Sequence, residues 1–473
     1  MTDKIWSWTA TRTAEAIRSG DITSREATES VLSRIREVNP YVNAIVELTE
    51  DEALQSADAA DFRLRSGQPL GPLHGIPVTT KINTDIAGHA TTNSVPEFAN
   101  DIADEDHPAI ENLRDAGAVF VGRSNTPSFS IRWFTDNELH GRTLNPWDAT
   151  RTPGGSSGGA AAAVASGMGF IAHGNDIGGS IRYPAASCGV VGLRPTPGRV
   201  PDWPTARLGA PLLGTQNMQV HGPLARTVDD VALGFSALAK WHAKDPFSVP
   251  VPLEGEPLEG PIRVGVVRSV GIVDPTPAVD AAITQAVASL EDAGYLVEEI
   301  DLSLFADAWR LWWQVVQGIE FEGLGKLIEQ YGDEAIRKSA DNQFAAMHRI
   351  VSGFELSDYV GGYAQRAALV RDLQLALQRY PILVLPISAE QTFEIDADVR
   401  DADRMEEVIK AQWPMMSVAA LSVPGLSVPV TVANGLPINV QLLGRRFRED
   451  TLFAAGREIE SRASVPTPIE PRR

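Results

Sequence analysis

Apolar residues recur at helical spacing near the N-terminus, where Ala27, Val31, Leu32 and Ile35 follow the capping box Thr23-Ser24-Arg25-Glu26. The first sixty residues therefore read as helical. Pro40 is expected to close that helix, because proline has no N–H for another turn. Up to about residue 125, strand-like runs at 75–80 and 118–122 alternate with helix-like ones at 50–65 and 107–116. The alternation resumes at 262–267, 277–293 and 295–300, which read as one strand, helix and strand. Residues 303–379 read as mostly helical, and 382–386, 426–432 and 437–442 return to strands. Such alternation predicts a layered α/β fold whose helical stretch covers a continuing sheet. No repeat of 20 to 50 residues and no low-complexity linker divides the chain.

With 473 residues, 43% hydrophobic and 22% charged, the chain has ample apolar material for a large core. Lys plus Arg number 41 against 61 for Asp plus Glu, a formal charge of −20 that argues against a nucleic-acid partner held by its phosphates. The single cysteine, Cys188, cannot form an internal disulfide. With eight scattered histidines it makes no Cys-rich zinc site, so no metal is expected, and the compartment reads as reducing. The start, MTDKIWSWTA, lacks the apolar run of a secretory signal, and no window approaches ~18 uninterrupted apolar residues. A soluble cytoplasmic protein with no membrane partner, monomeric or homodimeric, is the expectation.

Between 153 and 192 glycine, serine and alanine dominate and charges are few, which implies burial. Thr152-Pro153-Gly154-Gly155-Ser156-Ser157-Gly158-Gly159 opens an alanine-rich helix over 160–166. A strand-like run at 170–173 then leads to a second glycine turn, Asn175-Asp176-Ile177-Gly178-Gly179-Ser180. About nine helical residues climb ~13 Å and about five strand residues descend ~16 Å, so a reversing path would place Ser180 near Ser156. An alcohol is a poor nucleophile until a base takes its proton. Lys81 is the candidate base: it ends the apolar run at 75–80 and precedes Ile82, and desolvation favours the neutral amine. Keeping it neutral at pH 7 costs about 4 to 5 kcal/mol.

These residues carry a resemblance. Gly75-Ile76-Pro77-Val78 with Lys81, then 153–159, then 176–182 with Pro184, Ala185 and 188–195, resemble the amidase signature family of Ser-Ser-Lys hydrolases. The likeness extends to Gly141, Thr143 and Asn145-Pro146-Trp147 upstream and to Gly435-Leu436-Pro437, Gln441 and Gly444 downstream. It implies a single domain over 1–473 with a central mixed, twisted β-sheet flanked by helices. Within it lie an N-terminal helical segment (1–66), a core bearing the catalytic residues (67–200) and a variable helical cap over the cleft (300–410). Ser180 becomes the acyl-forming nucleophile, Ser156 the bridging serine behind a cis Gly155–Ser156 peptide, and Lys81 the terminal base. Backbone amides of Ile177, Gly178, Gly179 and Ser180 form the oxyanion hole. No metal or organic cofactor is implied. The substrate is a small-molecule amide, aryl or alkyl, with ester or carbamate side activity. Ile82, Asn175 and Asn439 depart from the usual Asp, Thr and Gly without removing a catalytic group.

Residues 129–134 lie where relatives line the acyl side of the cleft, which makes Ile131, Arg132, Trp133 and Phe134 candidate substrate contacts; Arg132 is also a candidate for recognising a carboxylate. Arg182 reads as a structural partner of Asp176, Cys188 as a small buried apolar residue, and His173 as a structural histidine rather than a base. Two other motifs compete. Gly155-Ser156-Ser157-Gly158-Gly159 fits the G-x-S-x-G elbow of α/β-hydrolase esterases with Ser157 as nucleophile, but the segment before it, with Pro146 and Pro153, does not read as a strand. A dinucleotide fingerprint beginning at Gly167 follows a helix where a strand is needed. Two further roles stay open: the glutamine-hydrolysing subunit of a transfer-RNA-dependent amidotransferase, and a scaffold, which loss of Ser180 or Lys81 would have suggested.

Overall fold

Eleven strands form one mixed sheet in the computed structural model, which describes residues 4–204 and 211–472. In chain order they are β1 (Ile45–Leu48), β2 (Pro77–Lys81), β3 (Val119–Ser124), β4 (Ile171–Asp176), β5 (Val191–Arg194), β6 (Val220–Ala225), β7 (Arg263–Val266), β8 (Leu296–Glu299), β9 (Ile382–Pro386), β10 (Gly425–Ala433) and β11 (Leu436–Gly444). Their spatial order is β1-β3-β2-β4-β6-β5-β10-β11-β9-β7-β8. β2 runs parallel to both β3 and β4, as β7 does to β8 and β9; the other neighbours pair antiparallel.

Strand side chains alternate between the two faces, and the sheet uses both to divide two apolar cores. Along β9, Ile382 and Val384 enter a core shared with the N-terminal helices and the Gly158–Ala165 helix. Leu383 and Leu385 enter the other, with Trp309, Trp313, Met415 and Met416. The first core surrounds β2 and β4, whose ends carry the polar groups of the site. The second is roofed by helices Leu304–Trp312, Glu322–Tyr331, Glu334–Ile350 and Leu356–Arg379, with a π-helical stretch, Trp313–Glu320, joining the first two. No described helix is long and apolar enough to cross a membrane.

Several local expectations are corrected. The Ser24–Val42 helix runs through Pro40 and stops at Asn43, which adopts φ 54°. Pro40 leaves the Arg36 carbonyl without its helical donor, yet the helix runs on only to Val42, and Asn39 Oδ1 ends the turn by accepting from Ala44 and Ile45 N–H at 2.8 and 2.9 Å. The first sixty residues also contain a strand, β1, too short to show a period and held only at the sheet edge by β3. β6 escapes the pattern because Gly222 and Pro223 interrupt it, although it lies between β4 and β5. β4 extends three residues past 173. The hairpin of β10 and β11 turns on Asn434-Gly435, with φ 54° and 79°.

Candidate active site

β2 ends at Lys81, between β3 and β4 in the interior of the sheet, so its side chain is fully buried. Lys81 Nζ lies 2.7 Å from Ser156 Oγ and donates to Asn175 Oδ1 at 2.7 Å. Burial drives the ammonium of Lys81 well below its ordinary range, and the charge of Asp176 opposes this only in part. An amine in that state has two N–H groups and one lone pair. With Asn175 taking one N–H, the lone pair is available to the Ser156 hydroxyl.

Ser156 follows a cis Gly155–Ser156 peptide, the geometry implied by the resemblance. At Gly155 a side chain is impossible: a Cβ would sit 2.3 Å from the Arg132 carbonyl oxygen. The second glycine turn joins β4 to the Arg182–Cys188 helix. Its Gly179 takes φ +99°, a left-handed value suited to glycine. Ser157 N–H donates to the Ser180 carbonyl at 3.1 Å, so the two turns meet, as a path that reverses between them requires. Exposure rises from 0% at Lys81 through 1% at Ser156 to 8% at Ser180, so Ser180 is the least buried of the three.

Asp176 organises that turn. Its Oδ1 accepts from Gly179 N–H and Arg182 Nη2, both at 2.9 Å, and its Oδ2 from Arg182 Nε at 2.9 Å and Ile181 N–H at 3.2 Å. Burial alone would raise its carboxyl, but Arg182 and Arg194 outweigh this and hold it well below the usual carboxylate range. Arg182 is thus the structural partner expected. Of the four amides expected to form an oxyanion hole, Gly179 is a correction, because its N–H is turned to Asp176. Those of Ile177, Gly178 and Ser180 have no acceptor among the described residues.

Asn175, which stands out in the sequence only as a departure, sits directly on Lys81. Asn83 belongs to none of the motifs, yet it accepts from Asn175 Nδ2 at 3.2 Å and donates to Ser130 Oγ at 3.0 Å. This chain turns the Asn175 amide so that its carbonyl faces Lys81. The only sequence signal for Asn83 is its position, two residues beyond Lys81.

The candidate substrate contacts separate. Ile131 lines a cavity of about 530 Å³ with Phe321, Leu324, Ile328 and Phe344. Arg132 is buried in a two-pronged ion pair with Asp398 at 2.6 and 3.0 Å, which corrects its reading as a carboxylate receptor. Trp133 and Phe134 are buried, Phe134 against Phe393. Ser157 is fully buried, and between β3 and the Gly158–Ala165 helix the described chain holds only a short 3₁₀ turn, Ser128–Ser130, so the strand an elbow needs is missing.

Three of the eight histidines, His107, His173 and His221, lie together. His173 Nε2 contacts His221 Nδ1 at 2.8 Å, and Asp202 Oδ1 is shared by His221 Nε2 and His107 Nε2 at 3.2 and 3.3 Å. His107, Asp202 and His221 are near enough to hold a metal ion. However, His107 Nδ1 accepts the Ala109 N–H, which leaves its proton on Nε2 facing Asp202 and no lone pair for a metal. Burial pushes His173 and His221 below the ordinary histidine range, so both are neutral links in this network.

The family model described as Amidase matches residues 26–453. An indoleacetamide hydrolase of Bradyrhizobium diazoefficiens is 40% identical over 465 residues, covering 98% of this chain and 87% of its own. A glutamyl-tRNA(Gln) amidotransferase subunit from Moorella thermoacetica is 33% identical, covering 97% of each chain. Among solved structures, a bacterial aryl acylamidase of the amidase signature enzymes superposes with a TM-score of 0.80 at 25% identity, covering 96% of each chain. The chain belongs to the amidase signature family and is an amide-hydrolysing enzyme.

Proposed function

We propose that the enzyme hydrolyses a small carboxylic amide through an acyl-enzyme on Ser180. The observation that carries this reading is the 2.7 Å contact of a fully buried Lys81 amine with Ser156, behind the more accessible Ser180. Neutral Lys81 takes a proton from Ser156 as Ser156 takes one from Ser180, and Ser180 Oγ bonds to the amide carbon. The carbonyl electron pair moves to oxygen, where free amides of the 177–180 turn receive it. Collapse breaks the C–N bond, and the relay returns the proton to the departing amine. Water then repeats the attack on the acyl-enzyme, giving acid and free Ser180. A small-molecule substrate, a cytoplasmic setting, a monomer or homodimer, and chemistry without metal or organic cofactor belong to the same reading.

The cavity beside Ile131 sets Phe321, Leu324 and Phe344 against Glu322, Arg337 and Asp341 and so does not select an acyl group by itself; the indoleacetamide hydrolase relative makes an arylacetamide a natural first substrate. A panel of matched amides, anilides, esters and carbamates, with indoleacetamide and glutamine included, tests this on the purified chain alone. Turnover of apolar amides without a partner is expected. The likeness to the Moorella amidotransferase chain supports a second reading; glutamine hydrolysis that appears only with partner proteins would favour it.

Asn175 gives a prediction of its own. Asn175→Asp sets a carboxylate beside the Lys81 amine, which favours the ammonium and raises its pKa. Because the neutral amine is the active form, the acid limb of the pH profile will move to higher pH. Activity on that limb will fall about tenfold for each unit of the move and recover at alkaline pH. A profile of kcat/KM against pH for the two proteins checks it.

A further inference from the structure

The glycine turn that carries Ser180 is gripped from outside by two indoles. Trp312 Nε1–H donates to the Ile177 carbonyl at 2.9 Å, and Trp133 Nε1–H donates to the next carbonyl, Gly178, also at 2.9 Å. The donors come from unrelated parts of the chain: Trp312 ends the Leu304–Trp312 helix, and Trp133 lies in the irregular segment after the Ser128–Ser130 turn. Trp313 braces both, edge to face with Trp312 at 5.0 Å and 81° and with Trp133 at 6.3 Å and 78°. All three are buried.

A trans peptide is planar, so the carbonyl of one residue and the N–H of the next point in opposite directions. Holding the Ile177 carbonyl therefore aims the Gly178 N–H away from Trp312, and holding the Gly178 carbonyl aims the Gly179 N–H away from Trp133. The Gly179 N–H is met there by Asp176 Oδ1 at 2.9 Å, so that peptide is fixed at both ends. The Gly178 N–H has no acceptor among the described residues. Its peptide is thus fixed at the carbonyl end and presents a free donor at the other. Glycine at 178 and 179 gives this backbone little intrinsic preference, so its orientation is set by what binds its carbonyls.

We infer that Trp312 and Trp133 are positioning residues for the oxyanion site: their indole N–H groups hold two successive carbonyls of the turn so that the Gly178 N–H is the donor aimed at the developing negative charge. This rests on the acyl-enzyme reading and changes the role of Trp133 from a candidate substrate contact to a backbone clamp. Trp312 also packs against the turn, its Cζ2 lying 3.0 Å from where a Cβ of Gly178 would be. The helical region at 300–410 therefore reaches the reacting centre through a hydrogen bond to its backbone.

The test replaces Trp312 in two ways. Trp312→Phe removes the N–H and part of the ring. Substitution by benzothienylalanine, which has sulfur in place of the N–H, keeps ring size and packing. Removing an oxyanion donor outright costs on the order of 10²–10³ in kcat, and loss of a group that aims one costs less. About a tenfold fall in kcat is expected for the benzothienyl variant on both an amide and its matched ester. KM should stay within about twofold and the acid limb should not move, since Lys81 is untouched. Wild-type kcat in the benzothienyl variant would overturn the proposal, as would a raised KM at unchanged kcat, which would make Trp312 a substrate contact. Ser180→Ala measured in parallel separates the two levels: retained activity there overturns the acyl-enzyme itself, whereas lost activity there with an unaffected benzothienyl variant overturns only the clamp.

Discussion

Ser180→Ala will lower kcat on an amide substrate by on the order of 10⁴-fold or more, with the protein folded as before. The change removes one oxygen from a residue already 8% exposed, and the main-chain contact that joins the two glycine turns, Ser157 N–H to the Ser180 carbonyl, does not involve the side chain. Stability and the fold of the 177–182 turn should therefore persist, because Asp176 and Arg182 still hold it. What remains of catalysis will come from binding and the free amides acting on a water. Steady-state kinetics beside thermal unfolding check this, the expected pattern being lost turnover at unchanged Tm.

Lys81→Ala carries the second large effect. A positioned base contributes on the order of 10²–10⁴ to rate, and in the proposed mechanism all of it passes through the 2.7 Å contact with Ser156. Burial drives the Lys81 ammonium well below its usual range. In the wild type the rate will rise with pH as this group loses its proton, and then remain high under alkaline conditions. The variant will lose that limb. Amides will suffer more than esters of the same acyl group, because an amine must be protonated to leave whereas an alkoxide or phenoxide needs the proton less. Kinetics on a matched amide and ester across pH measure the ratio. A folded Lys81→Ala enzyme with undiminished amide turnover and an intact limb would make Lys81 structural.

That Lys81 and the two serine turns come together was legible in the sequence because each sits in a short motif whose chemistry is local: an apolar run ending in an amine, and two serines on glycine turns. The layered α/β arrangement was legible for the same reason, from alternating periods. What escaped depends on contacts between distant positions. Arg132 reads as a ligand for a carboxylate until the fold supplies Asp398 from 266 residues away. Trp312 meets the Ile177 carbonyl across 135 residues, and nothing in the local pattern at 309–313 marks it as more than core. Asn83 and Asn175 are ordinary polar residues until parallel pairing of β2 with β4 places them side by side. β6 hid behind Gly222 and Pro223, and β1 was too short to show a period. His107, His173 and His221 are separated in sequence and adjacent in space, His107 and His221 joined by Asp202 and His173 by His221.

The most direct measurement is peptide mapping by mass spectrometry after reaction with a fluorophosphonate, which bonds covalently to an activated serine oxygen. A single adduct on the peptide containing Ser180, lost in Ser180→Ala, is the predicted result. An adduct confined to Ser157 would contradict it and return the protein to the nucleophile-elbow reading.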